Sequence, residues 1–334
     1  MTLMATTVRV PVGDSSQVGE ARRAAIRFGA DVGIAESDAG GLAILATEMA
    51  ANLARHGGGG DLLLRRVEGA SPSLELLALD RGPGMADIAL AFEDGHSTGG
   101  TPGTGLGAIR RLSATCELYS APGVGTVLMA RYPAGPRGRA AAMEIGAVSL
   151  PYPGEQESGD GWAVWSRPDR VTAMVVDGLG HGPAAALAAR EALRVFDDVA
   201  GRSPREALEA VHGALRATRG AAVAIAAIDT GRRSVTFAGV GNIAGAILAN
   251  GSTRSAVSTG GIVGHEFRRP HEFEYPWPEG AALVMHSDGL QSQWKLDPYP
   301  GLAQAHPALI AGVLIRDYSR PRDDVTVLVL REPR

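Results

Sequence analysis

The sequence predicts a protein of the α/β (α+β) class with two domains, and three observations support this. The chain has 334 residues, which is long enough for two separate cores. Residues 133–139 are rich in Pro, Gly and Arg and lack apolar periodicity, as a linker does. On both sides of this stretch, strand-like apolar runs occur together with helical patterns, which indicates sheets covered by helices. We therefore predict domains at 1–134 and 140–334.

The composition excludes several classes of protein. Hydrophobic residues make up 45% and the net charge is −4, with charges mixed along the chain, so we expect a globular protein and no nucleic-acid partner. No apolar run reaches the roughly 18 residues of a membrane span, and no signal peptide is evident, so we expect no membrane partner. Cys116 is the only cysteine, which excludes an internal disulfide and fits a cytoplasmic location.

In the first domain, the longest helical pattern carries an apolar stripe of Leu42, Leu45, Met49 and Leu53. The predicted elements are a strand at 8–12, helices at 15–28 and 36–56, strands at 62–67 and 74–79, a helix from about 106, and a hairpin of 116–121 with 126–132.

Three pieces of this domain together indicate a nucleotide site. Glu48 and Asn52 are four residues apart and share one face of the long helix. Asp80 follows a strand and precedes Gly82 and Gly84. The glycine-rich run at 99–107 enters a helix, which provides backbone N–H groups and a helix N-terminus for phosphate. Each piece alone is common in solvated helices and loops, but their order in the chain is specific.

The three pieces resemble the N box and the two glycine boxes of the GHKL ATPase superfamily, and most of all its RsbT-like switch kinases. The resemblance implies a Bergerat-type α/β sandwich that binds ATP and acts on STAS-domain proteins. It implies that Asn52 helps to hold Mg²⁺, that Asp80 accepts a hydrogen bond from adenine, and that Glu48 orients or deprotonates the attacking hydroxyl. The remaining cofactor-binding residues implied are Gly82, Gly84, Gly103, Thr104, Gly105, Leu106 and Gly107.

The second domain is organised around Asp177, which ends the apolar run 171–176 and precedes Gly178, Gly180 and Gly182. Three interpretations compete for this turn: a metal site, a dinucleotide-binding unit with Asp197 and Asp198 as its acidic residues, and a purely structural turn. A carboxylate at the start of the turn would repel phosphate unless a cation intervenes, which favours the metal site. The predicted elements are strands at 143–150, 162–166, 171–176, 222–228, 234–238, 243–248, 281–286 and 325–330, and helices at 183–199 and 204–218.

Other acidic residues recur at strand ends beside glycine or polar residues. Asp160 precedes a predicted strand, Asp288 follows one, and Asp323 and Asp324 precede the last. Each alone would suit an ordinary turn. If they converge with Asp177, mutual repulsion raises their pKa values unless cations neutralise them. An all-oxygen site selects hard cations, here Mg²⁺ or Mn²⁺.

These acids, with the runs Gly-Glu-x3-Gly-Asp160, Asp177-Gly-Leu-Gly-His-Gly182 and Gly239-Val-Gly-Asn242, resemble the SpoIIE-type branch of the metal-dependent PPM phosphatases, in its RsbX-like form. The resemblance implies an αββα sandwich with two metal ions and a water that attacks phosphorus. Asp177 would bridge both ions with help from the Gly178 carbonyl. Asp160 would bind one ion, and Asp288 and Asp323 the other, with Asp324 ranked second. Leu179 replaces the usual general-acid histidine, so His181 is either a catalytic acid or a cap of the turn.

Together the two resemblances predict a bifunctional partner-switching regulator that phosphorylates and dephosphorylates STAS-domain proteins. A sigma factor or a further switch protein would be a second partner. In the alternative, only the phosphatase is an enzyme and the first domain is an ATP sensor or a sigma-binding module. A dinucleotide-dependent oxidoreductase is the third hypothesis.

Overall fold

The computed structural model describes residues 2–3, 7–68, 72–92, 105–135, 142–266 and 269–333. Gly103, Thr104 and residues 136–139 of the predicted linker lie outside the described residues. The chain forms two compact units. The first unit comprises residues 5–140 and 296–316; the second comprises 1–4, 141–295 and 317–334. Among the described residues, no helix is long and apolar enough to cross a membrane.

The elements of the N-terminal part lie close to the predicted ones, except that β1 and α3 were not predicted. They are β1 (Thr2–Leu3), β2 (Thr7–Val12), α1 (Val18–Asp31), α2 (Ala39–Arg55), β3 (Gly60–Val67), β4 (Ser73–Asp80), α3 (Ile88–Ala91), α4 (Gly105–Leu112), β5 (Thr115–Ala121) and β6 (Gly125–Pro133). β1 pairs with a strand of the second unit and belongs to that unit.

The first unit is an antiparallel five-stranded sheet in the order β2-β3-β4-β6-β5, with α1 and α2 on one of its faces. Alternate residues of β4 point to this helical face, where Leu74, Leu76 and Ala78 join the core formed with α1 and α2. The stripe predicted on the long helix is buried in the same core: Leu42, Leu45, Met49 and Leu53. Burial of this stripe orients the polar face of α2, which carries Glu48 and Asn52.

The elements of the C-terminal part are β7 (Glu144–Leu150), β8 (Asp160–Arg167), β9 (Arg170–Gly178), α5 (Pro183–Val199), α6 (Pro204–Leu215), β10 (Ala221–Asp229), β11 (Ser234–Val240), β12 (Ala244–Ala249), β13 (Ser252–Ala256), β14 (Phe273–Pro276), β15 (Ala282–His286), α7 (Pro307–Tyr318) and β16 (Val325–Arg331). The sequence did not predict β13, β14 or α7. β13 is mostly exposed, so it lacks the apolar run by which the other strands were recognised.

The opposite face of β4 is covered by the segment 296–316, which contains most of α7. A Cβ added at Gly312 would lie within 3.2 Å of side-chain carbons of Leu77, Leu79 and Val127, so the helix backbone lies directly on the sheet. The Arg316 guanidinium donates a hydrogen bond of 2.7 Å to the carbonyl of Asp80. All residues from 307 to 316 are buried. A helix that is buried on every side has no amphipathic period, which is why the sequence did not reveal it.

A buried ion-pair cluster lies on the same face of β4. Glu75 is paired with Arg65 at 2.7 Å and with Arg131 at 2.9 Å. Burial alone would raise the pKa of Glu75, but the positive charges of Arg65, Arg131 and His306 lower it to about 2. His306 belongs to the segment 296–316, so this segment also adds charge to the cluster.

The second unit contains two antiparallel sheets, ordered β1-β8-β9-β10-β11-β14 and β13-β12-β15-β16-β7. Helices α5 and α6 pack on the first of them and form its core with β9 and β10. β9 is antiparallel to both of its neighbours, whereas a dinucleotide-binding unit needs a parallel strand pair. Asp197 and Asp198 lie within α5 itself. The dinucleotide interpretation of the Asp177 turn is therefore wrong.

Candidate active sites

Strand pairing places the predicted metal-binding carboxylates at strand ends of both sheets. Asp160 begins β8 and lies directly opposite Asp177 near the end of β9, because these strands are antiparallel. In the other sheet, Asp288 follows β15, and Asp323 and Asp324 precede its neighbour β16. A Cβ added at Gly289 would clash with the Asp324 carbonyl, so these two loops are in contact.

Three of the carboxylates are held by protein donors. The Ser287 hydroxyl donates to Asp160 Oδ2 at 2.5 Å. The Asn242 amide donates to Asp288 Oδ2 at 2.6 Å, and the backbone N–H of Tyr152 donates to Asp324 Oδ1 at 2.8 Å. Asn242 and Ser287 were not predicted as site residues, although Asn242 ends the Gly-Val-Gly-Asn motif of the resemblance. These hydrogen bonds fix the orientation of the carboxylates.

The oxygens that remain fit a hard cation. Asp160 Oδ1 and Asp324 Oδ2 are buried and have no hydrogen-bond partner. A buried carboxylate oxygen without a partner is costly, which argues for a ligand that is itself positively charged. In the described part of the chain, no three acidic, His or Cys side chains already form a compact metal-binding group. Because all of these donors are carboxylate oxygens, the set suits Mg²⁺ or Mn²⁺, whose remaining ligands would be water.

Burial and mutual repulsion raise the pKa of several of these carboxyl groups. For Asp177, burial and then the charges of Asp288, Asp323 and Asp324 raise the pKa to about 8. The pKa of Asp160 lies well above its usual value, through burial and the neighbouring Asp177. Burial, followed by Asp288 and Asp324, also raises the pKa of Asp323. Raised pKa values of this kind are expected where several carboxyl groups converge on a cation-binding position.

The metal-free protein is expected to lose stability as the pH rises. Asp177 has a raised pKa in the folded state, so between its ordinary 3.8 and about 8 the folded state retains a proton that the unfolded chain has released. The free energy of unfolding therefore falls with rising pH across this window. Mn²⁺ neutralises the carboxylates, so we expect a larger Mn²⁺-induced increase in Tm at pH 8 than at pH 6. Thermal melts with and without Mn²⁺ test this, and an equal increase at both pH values would contradict it.

The turn after Asp177 presents several groups beside the carboxylates. Strand β9 ends at Gly178, the residue whose carbonyl was predicted to assist metal binding. The side chain of His181 is more than half exposed, with its Nδ1 3.2 Å from Glu155 Oε1. A Cβ added at Gly180 would lie 3.3 Å from Nη1 of Arg219, so a guanidinium lies beside this turn. No sequence pattern pointed to Arg219, because this residue lies in a loop about 40 residues further along the chain.

In the first unit, the structure brings Glu48, Asn52 and Gly105 together. A Cβ added at Gly105 would lie 3.0 Å from Glu48 Oε2 and 3.7 Å from Asn52 Oδ1. Gly105 is the first residue of α4, followed by Leu106 and Gly107. The carboxylate and the amide of α2 therefore face the N-terminus of α4, where a phosphate would be stabilised by backbone N–H groups.

Asp80 lies in a cavity of about 580 Å³, which Asn52, Gly84, Gly105 and Leu106 also line. Its Oδ1 accepts hydrogen bonds from the backbone N–H groups of Gly82 and Thr126. Its Oδ2 has no hydrogen-bond partner among the described residues, so it is free to accept one from a ligand. Burial raises the pKa of Asp80, while the two backbone hydrogen bonds and Arg316 oppose this shift. The size of the cavity and the free acceptor fit a nucleotide base.

Gly84 is required by the backbone of this cavity. Its φ is 71°, in the left-handed region, and an added Cβ would clash with the carbonyl of Ala121. Gly82 lies equally close to the backbone, since an added Cβ would be 2.7 Å from the His56 carbonyl. Both glycines of the first glycine box are thus explained by close packing of the chain around Asp80.

The two sites define two classes of protein within one chain. Carboxylates with orphaned oxygens at the strand ends of an antiparallel double sheet fit a metal-dependent phosphatase. A helix-borne Glu/Asn pair facing a glycine-rich helix start defines a histidine kinase-like ATPase domain. Residues 167–333 match the family model of Stage II sporulation protein E (SpoIIE), and residues 12–132 match the histidine kinase-like ATPase domain. The chain belongs to the SpoIIE family, with an RsbT-like ATPase domain preceding the phosphatase.

Individual relatives agree with both assignments. The serine/threonine-protein kinase RsbT of Bacillus subtilis (strain 168) is 33% identical over 101 residues, which cover 30% of this chain and 76% of RsbT. A structure from the bacterial stressosome, described as a modular system adapted to control secondary messenger signaling, is 29% identical with a TM-score of 0.54. The match covers 57% of this chain and 100% of the stressosome chain. RsbX in complex with magnesium is 19% identical, with a TM-score of 0.52 over 58% of this chain and 98% of RsbX, and shares the fold.

Proposed function

We propose that this chain is a bifunctional regulator of partner switching. Its first unit would transfer phosphate from Mg·ATP to a serine of a STAS-domain protein, and its second would remove that phosphate with Mn²⁺ or Mg²⁺. A sigma factor or a further switch protein would be a second partner. The observation that carries the proposal is the presence in one chain of both a cluster of carboxylates with orphaned oxygens and a Glu48–Asn52 pair facing the start of α4.

On the phosphatase side, Asp177 would bridge two metal ions, with Asp160 on one, Asp288 and Asp323 on the other, and the Gly178 carbonyl and Asp324 assisting. Ions bound there would neutralise the charge of the phosphate and lower the pKa of a water molecule. Ser287, Asn242 and the backbone of Tyr152 keep three of these carboxylates in fixed orientations. The Arg219 guanidinium beside Gly180 offers a positive charge to the phosphate of the substrate.

On the kinase side, Asn52 would help to hold Mg²⁺ and Asp80 would accept the adenine amino group through its free Oδ2. The N-terminus of α4, with Gly105, Leu106 and Gly107, would face the phosphates, and Gly103 and Thr104 would complete this glycine box. Glu48 Oε2 would orient or deprotonate the serine hydroxyl.

The alternative is that the first unit binds ATP or a sigma factor without catalysis. The position of the Glu48 carboxylate, facing Gly105 beside Asn52, favours phosphoryl transfer, because a mere sensor has no need of a base there. Incubating the full chain with [γ-³²P]ATP and candidate STAS-domain proteins, with and without Mn²⁺, tests both activities. We expect labelling in Mg²⁺ and release of labelled phosphate when Mn²⁺ is added. A substrate that is never labelled, but is dephosphorylated when supplied as phosphoprotein, would support the alternative.

Nucleotide binding is expected to change the phosphatase rate. The segment 296–316 belongs to the unit with the ATP site, where Arg316 bonds the Asp80 carbonyl, yet in sequence it lies between Asp288 and Asp323. A change in the first unit on ATP binding would therefore be transmitted through this segment to Asp288 and Asp323, which flank it in the sequence. We expect a non-hydrolysable ATP analogue to change dephosphorylation of a phospho-STAS substrate by about fivefold or more.

The matched control is the full-length Asp80→Ala variant, which should not bind the nucleotide and should not respond. A truncated chain beginning near Ala140 is a poorer control, because it lacks the sheet that α7 covers. The same response in wild type and Asp80→Ala would indicate chelation of metal by the analogue, and no response in either would contradict the prediction.

A further inference from the structure

The imidazole of His181 is held by two side chains from the loop between β7 and β8. Its Nδ1 lies 3.2 Å from Glu155 Oε1. Its ring stacks on that of Tyr152, with centroids 4.4 Å apart and planes inclined by 16°. Its Nε2 has no hydrogen-bond partner among the described residues. The ring is therefore fixed in position while one nitrogen remains available to a substrate.

The same loop is tied to the carboxylate cluster. The backbone N–H of Tyr152 donates a hydrogen bond to Asp324 Oδ1, so the residue that stacks on His181 is anchored beside the predicted metal ligands. His181 itself lies in the turn that begins at Asp177. The imidazole is thus linked to the cluster both through the chain and through Tyr152.

The backbone also makes room for Glu155. Gly182 has a φ of 74°, and a Cβ added there would lie 3.1 Å from Glu155 Oε1. A side chain at this position would therefore push the carboxylate away from the imidazole. A histidine that merely capped the turn would not need Glu155 to orient its ring or Tyr152 to stack on it.

We propose that Glu155 and Tyr152 are positioning residues that hold His181 as the proton donor to the leaving serine oxygen; this rests on the proposed phosphatase function. The bond between phosphorus and the seryl Oγ breaks, and its electron pair stays on Oγ. The His181 imidazolium gives its Nε2 proton to Oγ, which leaves as the serine hydroxyl, while the oxygen of water forms the new bond to phosphorus. One proton of that water stays on the product phosphate and the other passes to solvent, from which the imidazole is protonated again. Glu155 accepts the Nδ1–H hydrogen bond and so selects Nε2 as the donor nitrogen.

Comparison of two leaving groups in the Mn²⁺-loaded full chain tests this role. A serine alkoxide is a strong base and needs a proton, whereas p-nitrophenolate leaves without one. We expect His181→Asn and Glu155→Gln to lower turnover of a phosphoserine peptide by about 100-fold, and turnover of p-nitrophenyl phosphate by less than about threefold. The double variant should lose no more than His181→Asn alone, because Glu155 acts through His181.

Glu157→Gln is the matched control. Glu157 lies in the same loop but pairs with Arg190 at 3.1 Å, so its variant should behave as wild type with both esters. Thermal melts should show the same Mn²⁺-induced increase in Tm for all variants, which separates positioning from folding and metal binding. Equal losses with both esters, or no loss with phosphoserine, would overturn the inference. A wild-type chain that hydrolyses neither ester would overturn the phosphatase proposal, and the inference with it.

Discussion

Replacing Asp177 by asparagine is expected to lower phosphoserine hydrolysis by about 1000-fold or more, because the site then loses the charge that both metal ions would share. Several kcal/mol of transition-state stabilisation depend on such ions, and each 1.36 kcal/mol is tenfold in rate. The fold should survive the change. Asp177 is partly buried beside other carboxylates. Desolvation and then the charges of Asp288, Asp323 and Asp324 raise its pKa to about 8, so a neutral side chain of the same shape relieves repulsion in the metal-free protein.

Three measurements check this result. Phosphoserine hydrolysis is followed in saturating Mn²⁺, ATP binding is followed with a fluorescent analogue, and thermal melts report on the fold. ATP binding should be unchanged, and the Tm without metal should be at least that of wild type. The Mn²⁺-induced increase in Tm should disappear.

Asp229→Asn is the matched control for this variant. Asp229 also ends a strand, β10, but it lies opposite Arg170 at the other end of the pairing with β9. Its carboxylate accepts a hydrogen bond from the backbone of Arg232, as an ordinary turn residue does. Asp229→Asn should retain wild-type activity. If Asp177→Asn retained more than about a tenth of that activity, the metal assignment would be wrong.

Local sequence patterns predicted most of the strands of the second unit, and also the strand ends that carry its metal-binding acids. Asp160, Asp177 and Asp288 stand next to buried apolar runs, so alternation and run length alone locate them at strand ends. The antiparallel pairing that brings Asp160 opposite Asp177 could not be derived from these runs, since apolar runs are the same in parallel and antiparallel sheets. The resemblance to known families implied only that these acids share a two-metal site in a β-sandwich, and the pairing itself is a finding of the structure.

Three features escaped prediction for physical reasons. Helix α7 is buried on all sides, so its sequence shows no amphipathic stripe, and its packing on β4 depends on residues far away in the chain. Arg219 lies in an irregular loop, and only the fold brings it beside Gly180. Glu155 stood within a recognised motif, but its contact with His181 depends on the conformation of two loops. Long-range contacts of this kind leave no periodic trace in a sequence.

Substitutions of Glu48 and Asn52 are expected to separate catalysis from nucleotide binding in the first unit. Glu48→Gln preserves the size of the side chain but removes the base, so we expect phosphoryl transfer to a STAS-domain protein to fall by about 1000-fold. Mg·ATP affinity should change by less than about threefold, because Glu48 faces the start of α4 and would act on the attacking hydroxyl rather than on the nucleotide. Asn52→Ala should instead weaken Mg·ATP binding by about 10- to 100-fold, as loss of an oxygen that helps to hold Mg²⁺ does.

Affinity is measured by calorimetry with a non-hydrolysable analogue, and transfer is measured with [γ-³²P]ATP at saturating nucleotide, so that weak binding cannot mimic slow chemistry. Glu36→Gln, an exposed acid before α2, is the control and should change neither quantity. The two side chains lie one helical turn apart and face the same residue, Gly105, so a general disturbance of α2 would affect both variants alike. Equal losses of affinity in both would therefore refute a catalytic role for Glu48. Full transfer by Glu48→Gln would instead leave the first unit as a nucleotide-binding module beside the phosphatase.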